Sequence, residues 1–200
     1  MDIDPLDVVE SAKSDDTAKN KKWLNAAVAI TVALLATFMG ICKVKDDNIV
    51  QAMQQAQADK IDHWQFYQAR NVREEIGKST LTQLRLQVLT VSAGQRAAFD
   101  EQIRAYETLV KEQNQKKEDL KALAEKDQVT YDSLNFRDDQ FDLSDAAIAI
   151  AIAMLAVASL TQLPWLYLLA LLPSCFGVVM GLAGLLGWGL HPDVLVKLLT

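Results

Sequence analysis

The residues that could carry out chemistry in this chain are few, and the clearest group is Gly77-Lys78-Ser79-Thr80. These residues end like a phosphate-binding P-loop, whose glycines let the backbone wrap a phosphate and whose lysine neutralises it. The first glycine of that motif would fall at Val72, and the surroundings are typical of a charged helix rather than a strand that turns into a helix. The sequence therefore argues against a nucleotide site.

The histidines and cysteines lack the neighbours that a site needs. Asp59 gives His63 a single partner at helical spacing, which is too few for a metal site, and His191 has no ligand pattern around it. Cys42 and Cys175 fall in uncharged stretches, so we expect two buried small side chains rather than a disulfide or a metal pair. No local motif unites Ser, His and Asp as in a hydrolase. We expect no enzyme activity, metal or cofactor.

Aspartates are concentrated beside two uncharged stretches. Asp46 and Asp47 follow the first stretch, and four more precede the second, namely Asp138, Asp139, Asp142 and Asp145. Around an oligomer they would form an acidic collar that concentrates cations, with Asp138, Asp139 and Asp142 as its main candidates. The simpler interpretation is that Asp142, Ser144 or Asp145 caps the next helix while the others are solvated.

The elements that position these residues follow from the distribution of charge. No Asp, Glu, Lys or Arg occurs in 23–42 or in 146–190. Twenty residues of helix match the bilayer core of about 30 Å, so 23–42 is predicted to span a membrane once. The second stretch is divided by Thr161-Gln162-Leu163-Pro164, which predicts two spans, 146–163 and 165–190. Residues 1–22 and 191–200 are then a polar N-terminal segment and a C-terminal tail.

Residues 43–145 are predicted to form a long helical hairpin in water. They lack proline and place apolar residues three and four apart, as in Leu81, Leu84 and Val88, or from Phe99 onward. Both ends attach to the same side of the membrane, so the chain must reverse. Ser92-Ala93-Gly94-Gln95 offers the turn and has the spacing of a capping box. The predicted fold is thus an all-α membrane protein with three transmembrane helices and an antiparallel, coiled-coil-like hairpin between spans one and two.

The apolar stripes predict self-association. Legs of this length would expose Trp64, Tyr67 and Leu81 unless another copy covered them, and Trp64 with Tyr67 has no evident partner nearby in the sequence. In span three, Gly177 and Gly181 have the GxxxG spacing that lets helices approach closely in lipid, either within one chain or between chains. Candidate residues for packing or oligomer contacts are Trp64, Tyr67, Leu81, Leu84, Val88, Phe99, Gly177 and Gly181.

A family resemblance rests on three segments. Asp62-His-Trp64-Gln-Phe-Tyr67-Gln-Ala-Arg70 lies soon after span one, Phe141-Asp142-Leu143 leads into a small-residue span, and Pro164-Trp165-Leu166-Tyr167 opens the last. With these segments the chain resembles the bacterial domain-of-unknown-function 4337 family from span one onward. The resemblance implies a bacterial inner-membrane protein of this layout with no assigned activity.

The expected role is a non-catalytic scaffold or accessory subunit that self-associates or docks a membrane-complex partner through its hairpin. The alternative is an oligomeric pore beneath the acidic collar. The net charge of −6 and the absence of a basic stripe disfavour nucleic acid, which leaves the lipid bilayer and other copies as partners. More lysines precede span one than follow it. Those before it are Lys13, Lys19, Lys21 and Lys22, and those after it are Lys43 and Lys45. This excess predicts a cytoplasmic N-terminus and a periplasmic hairpin.

Overall fold

All regular secondary structure in the described part of the chain is α-helix. The structure is a computed structural model that describes residues 5–190 and 192, with side chains described from residue 22 onward except at 191 and 193–200. Helix α1 comprises Pro5–Gln87, α2 comprises Ala93–Thr161 and α3 comprises Pro164–Leu186. The described residues contain no strand, and all three helices include a stretch long and apolar enough to cross a membrane. His191 lies outside the described residues.

Helix ends fall where the sequence offers turn residues, although their chemistry differs from the prediction. The Ser92 hydroxyl, just before α2, hydrogen-bonds the Gln95 side-chain oxygen at 3.1 Å, so these two side chains bond each other. Gly94 already lies within α2. Between α2 and α3, Gln162 has a positive φ of 58°, and Pro164 opens α3, where its missing N–H needs no partner.

Helix α2 runs without a break from the charged segment into the apolar one. Asp142, Ser144 and Asp145 therefore lie inside a helix, and the expectation that one of them caps a new helix is wrong. Ser144 is instead buried and its hydroxyl donates to the Gly177 carbonyl at 2.8 Å. Continuous backbone hydrogen bonding leaves no free N–H groups at this point for a cap to satisfy.

The chain forms two compact units. Among the described residues, the span unit contains those up to 50 and those from 135 onward, and the connecting unit contains residues 51–134. Within the connecting unit, the buried and half-buried positions of α1 recur at alternating steps of three and four residues, which is the spacing of a face packed against a second helix. This inner face consists of Met53, Ala56, Lys60, His63, Tyr67, Arg70, Glu74, Gly77, Leu81 and Leu84.

The span unit packs its three helices around a small apolar core. Leu35 of α1, Ile148 and Leu155 of α2 and Ala170 of α3 are among its buried residues. The side chains that face away from this core include Leu34, Val157 and Leu172, and these large apolar groups are exposed on the chain. Apolar groups on both the inside and the outside are what a helix bundle in lipid requires.

Glycines set how closely α3 approaches its neighbours. A Cβ at Gly177 would lie 2.7 Å from Ile148 Cγ1, and one at Gly181 would lie 2.6 Å from Phe38 Cε1. Gly184 meets the Phe141 ring in the same way, at 2.8 Å. These contacts are all within one chain, so the small-residue face of span three is used by its own span unit.

The two cysteines differ. Cys42 is buried as expected, but Cys175 is exposed, so the prediction of a buried side chain is wrong for Cys175. Ser174, the next residue along, is the one that turns into the unit and donates to the Ala170 carbonyl at 2.8 Å. Spacing along α3 decides which of two neighbouring small residues faces inward.

Candidate functional site

A layer of charged residues lies inside the connecting unit. Glu74 is 1% exposed and occupies the inner face of α1. Its carboxylate is paired with Lys117 Nζ from α2 and with Lys78 Nζ from its own helix, each at 2.7 Å. Asn114 Nδ2 donates to the same carboxylate at 3.2 Å. One buried carboxylate is thus satisfied by three groups, two of them on the opposite helix.

The electrostatics of this layer follow from those contacts. Hydrogen bonds from Lys117 and Lys78 lower the pKa of Glu74 to about 2, against the opposing effect of its burial. The same hydrogen bonds raise the pKa of Lys117 and of Lys78. All three groups are therefore charged at neutral pH.

Other polar residues bridge α1 and α2 along the connecting unit. His63 Nδ1 lies 2.7 Å from Asp127 Oδ2, Arg70 donates to Gln113 at 3.1 Å, and Arg85 lies 2.6 Å from Glu107. His63 thus pairs with Asp127 on the other helix, whereas Asp59 accepts a hydrogen bond from Gln55. These bridges can be made in only one alignment of the helices, so they select it.

Some of the aspartates predicted to form an acidic collar lie in one cluster within the span unit. Asp46 is 3% exposed, and Lys43 Nζ lies 2.7 Å from its Oδ2. The Asp138 carboxyl of α2 lies close enough to Asp46 for Asp46 to raise the pKa of Asp138. No donor from the protein reaches Asp46 Oδ1, which is buried. Two neighbouring carboxyl groups oppose each other's ionisation, so a proton on Asp138 is favoured here.

Burial, then the hydrogen bond to Asp46 and the charge of Asp142, raise the pKa of Asp138 to about 7. Burial and the charge of Asp46 also raise the pKa of Asp142. Asp142 is itself exposed on the chain, at the edge of the cluster. Of the three predicted collar residues, Asp138 is the one that the structure brings against the buried carboxyl. Within the described residues, no group of three or more His, Cys, Asp or Glu is arranged to hold a metal ion.

Two residues that the sequence analysis did not single out anchor the end of α3. Arg137 Nη2 donates to the Gly184 carbonyl at 2.8 Å, and Gln140 Nε2 donates to the carbonyls of Trp188 and Leu190 at 2.7 and 2.6 Å. Gly187 adopts a left-handed φ of 70° and ends the helix. A cation and an amide therefore satisfy carbonyls that a helix end leaves free. Gln140 lies four residues and Arg137 seven residues before Ser144, which places all three on one helical face, and this spacing could have identified them from the sequence.

Trp64 and Tyr67, which were predicted to take part in oligomer contacts, contact each other. Trp64 and Tyr67 are half-buried and lie edge to face, with ring centroids 5.2 Å apart. The statement that they have no partner nearby in the sequence is therefore wrong, since they lie one helical turn apart. Leu81 and Leu84 are buried on the inner face of α1, while Val88 and Phe99 are half-buried.

Within the connecting unit, four aliphatic side chains of α1 are exposed on the side opposite its inner face. Ile61, Val72, Ile76 and Leu86 are 46%, 56%, 61% and 62% exposed. They are large aliphatic side chains in the part of the chain that carries most of its charge. A monomer gains nothing from this arrangement, because apolar surface in water is unfavourable.

These features define an all-α protein with three helices able to cross a membrane and a charged helical unit between the first two. The chain belongs to the family described as Domain of unknown function (DUF4337), whose model matches residues 24–187. No curated protein matches the chain. No solved structure matches it either.

Proposed function

We propose that this protein is a non-catalytic, membrane-anchored scaffold or accessory subunit that self-associates, or docks a partner, through an antiparallel helical hairpin made by residues 51–134. The exposed aliphatic side chains of α1 carry the proposal. Packing against α2 uses the inner face, yet Ile61, Val72, Ile76 and Leu86 lie outside it. Surface of this kind is typical of a protein contact.

The hairpin itself is supported by the order of the cross-helix contacts. His63 contacts Asp127, Glu74 contacts Lys117, and Arg85 contacts Glu107, so the residue number on α2 falls as that on α1 rises. Such an order is expected of antiparallel, coiled-coil-like helices. The Glu74 layer would keep them in one alignment, which a docking surface needs.

The mass of the complex in detergent is the direct test. We expect light scattering to give a multiple of the 22.2 kDa chain, or a complex with another protein that copurifies. Trp64→Ala with Tyr67→Ala tests whether the aromatic pair takes part, and a lowered mass would support this. A solitary monomer that copurifies with nothing would sink the scaffold proposal.

We also propose that the protein resides in a bacterial inner membrane with the hairpin in the periplasm. The excess of lysines before span one supports this orientation. The test places a cysteine at Gln95 in a Cys175→Ser background, because Cys175 is exposed and Cys42 is buried. A membrane-impermeant maleimide should label this cysteine in intact cells, and protection there would reverse the orientation.

The pore alternative has weaker support. The polar residues of span one that could line a water path have partners within the chain. Asn25 accepts from Ser159 and Gln162, and Thr31 lies 3.1 Å from the Tyr167 hydroxyl. Ion flux through reconstituted liposomes that Asp138→Ala and Asp142→Ala abolish would favour the pore instead.

A further inference from the structure

One face of α1 in the connecting unit is both exposed and free of charge. Its positions follow a three-and-four spacing with one extra step of four at Val72–Ile76, and every one of them is exposed. We call this the outer face, and it consists of Gln54, Ala58, Ile61, Gln65, Gln68, Val72, Ile76, Ser79, Gln83 and Leu86. Glutamine, serine and aliphatic residues alone occupy a helix surface that runs the length of the unit.

The other helix of the unit offers no such surface. The exposed positions of α2 between residues 93 and 134 are interleaved with charges, including Glu101, Lys111, Lys116 and Glu118. The chain as a whole is 23% charged, so a neutral face this long is a departure from its own composition. The charged surface of α2 is suited to a partner of opposite charge. The outer face of α1 is suited to a contact between neutral surfaces, where a charge would be destabilising.

We propose that the outer face of α1 is the surface on which a second copy of this chain packs, with the two α1 helices parallel and in register. This inference rests on the self-association form of the proposed function. Copies inserted in one membrane have the same orientation, and each α1 leaves its span at the same residue. Residue n of one copy therefore meets residue n of the other across a two-fold axis.

Neutrality is what such a pairing requires. In a parallel, in-register pair every charged residue would face its own like charge, which is destabilising at helix contacts. Ile61, Val72, Ile76 and Leu86 instead meet their own aliphatic counterparts, and facing glutamine amides can donate and accept in turn. Anchoring in the same bilayer raises the effective concentration of the two faces, so a moderate contact area is sufficient.

Cysteine cross-linking in membranes tests the face and the register together. Val72→Cys and Ile76→Cys are made separately in the Cys175→Ser background, and Lys116→Cys is the matched control on the exposed side of α2. With mild oxidant we expect each outer-face variant to give disulfide-linked dimers at least tenfold more efficiently than the control. Disulfides need Cα atoms within about 7 Å, so a tagged Val72→Cys copy mixed with a Leu86→Cys copy should give no mixed dimer.

The outcomes separate this inference from the proposed function. If light scattering gives an oligomer but Val72→Cys and Ile76→Cys link no better than Lys116→Cys, the outer face is wrong while self-association stands. Efficient mixed dimers between positions 72 and 86 would overturn the parallel, in-register arrangement. A cross-linked product with the mass of a different protein would overturn the second copy as occupant. A monomer without any cross-link overturns both proposals.

Discussion

Two buried carboxyl groups, Glu74 in the connecting unit and Asp46 in the span unit, lie in opposite electrostatic surroundings. Glu74 is surrounded by Lys117, Lys78 and Asn114, so the ionised form is favoured and its pKa falls to about 2. Asp46 shares one lysine with Asp47 and otherwise faces acids, and burial together with these acids raises the pKa of Asp138 to about 7. The ionised form of the carboxyl is thus favoured at Glu74, and the protonated form is favoured at Asp138.

The two units obtain their specificity in different ways. Two helices in water cannot bury enough apolar surface to fix their alignment, so the connecting unit uses ion pairs that fit only one alignment. The span unit has no hydrophobic driving force between its helices in lipid, and it relies on close contact at Gly177, Gly181 and Gly184. Replacing one group of each kind should therefore produce effects of different size.

The largest effect is expected from Gly181→Leu. A side chain at this position would meet the Phe38 ring at 2.6 Å and Ser144 Oγ at 2.8 Å, so α3 must move away from both neighbours. Overpacking of this kind costs about 3 kcal/mol. Loss of helicity on heating in detergent, followed by circular dichroism at 222 nm, should show a lower midpoint.

Gly40→Leu is the matched control for this change. Gly40 also lies in a span, but a Cβ there would meet nothing within 4 Å. The control should leave the midpoint nearly unchanged. Equal midpoints for the two variants would mean that glycine contacts do not hold the span unit together.

A smaller loss is expected from Glu74→Gln. The amide cannot neutralise Lys117, whose side chain is only 12% exposed, so a cation is left without its partner. We expect a loss of about 1–2 kcal/mol, which is less than for a pair deep in a large protein, because water lies within a few ångströms on either side of two helices. Thermal unfolding of the purified protein measures it.

Glu75→Gln provides the comparison, since this neighbouring carboxylate is 61% exposed and pairs with Lys78 alone. Its effect should stay within about 0.5 kcal/mol. If Glu74→Gln is as mild as Glu75→Gln, the charged layer adds no stability and serves at most to select the alignment.

The positions of the helices could be predicted from the sequence, whereas the polar contacts between helices could not. Uncharged stretches predicted the helices able to span a membrane, and Thr161-Gln162-Leu163-Pro164 predicted the break between α2 and α3. The edge-to-face contact of Trp64 with Tyr67 was also available, because a spacing of three places two residues on one helical face. A contact between these two rings was therefore predictable from their spacing alone.

The polar contacts that the sequence did not predict have a common cause. Pairing of Glu74 with Lys117, or of Asp46 with Asp138, depends on how two helices align, and spacing along one helix carries no information on that alignment. Ser144 had the composition of a helix cap, but it lies inside α2 and bonds α3. Residue type alone cannot distinguish a cap from a polar contact between helices.

The smallest expected effect concerns how stability changes with pH, because the contributions of Asp138 and Glu74 change in opposite directions. An unfolded chain holds a proton on Asp138 only below the ordinary pKa of 3.8, whereas the folded chain holds it up to about 7. Between these values the folded state binds more protons, so its stability falls as pH rises and the contribution is gone above about 7. Glu74 behaves in the opposite way, since its contribution is present above its ordinary pKa of 4.5 and is lost as pH falls toward 2.

Between pH 5 and 8, then, Asp138 should titrate while Glu74 stays ionised, and Asp46→Asn should remove the part of the Asp138 shift that Asp46 causes. An asparagine amide can donate to the ionised Asp138 carboxylate, so the fall in stability toward pH 8 should flatten in part, by up to about 1 kcal/mol, while burial continues to raise the pKa of Asp138. The charged groups that face Asp46 are Lys43 on its own helix and Asp138, Asp142 and Asp145 on α2, while α3 contains no Asp, Glu, Lys or Arg.

Asp47→Asn is the control, because its exposed carboxylate also lies near Lys43, at 3.7 Å, and it should keep the wild-type profile. Thermal midpoints of the three proteins across this pH range give the answer. Parallel profiles for Asp46→Asn and the wild type would show that Asp46 does not raise the pKa of Asp138, and the rise would then come from burial and from the charge of Asp142.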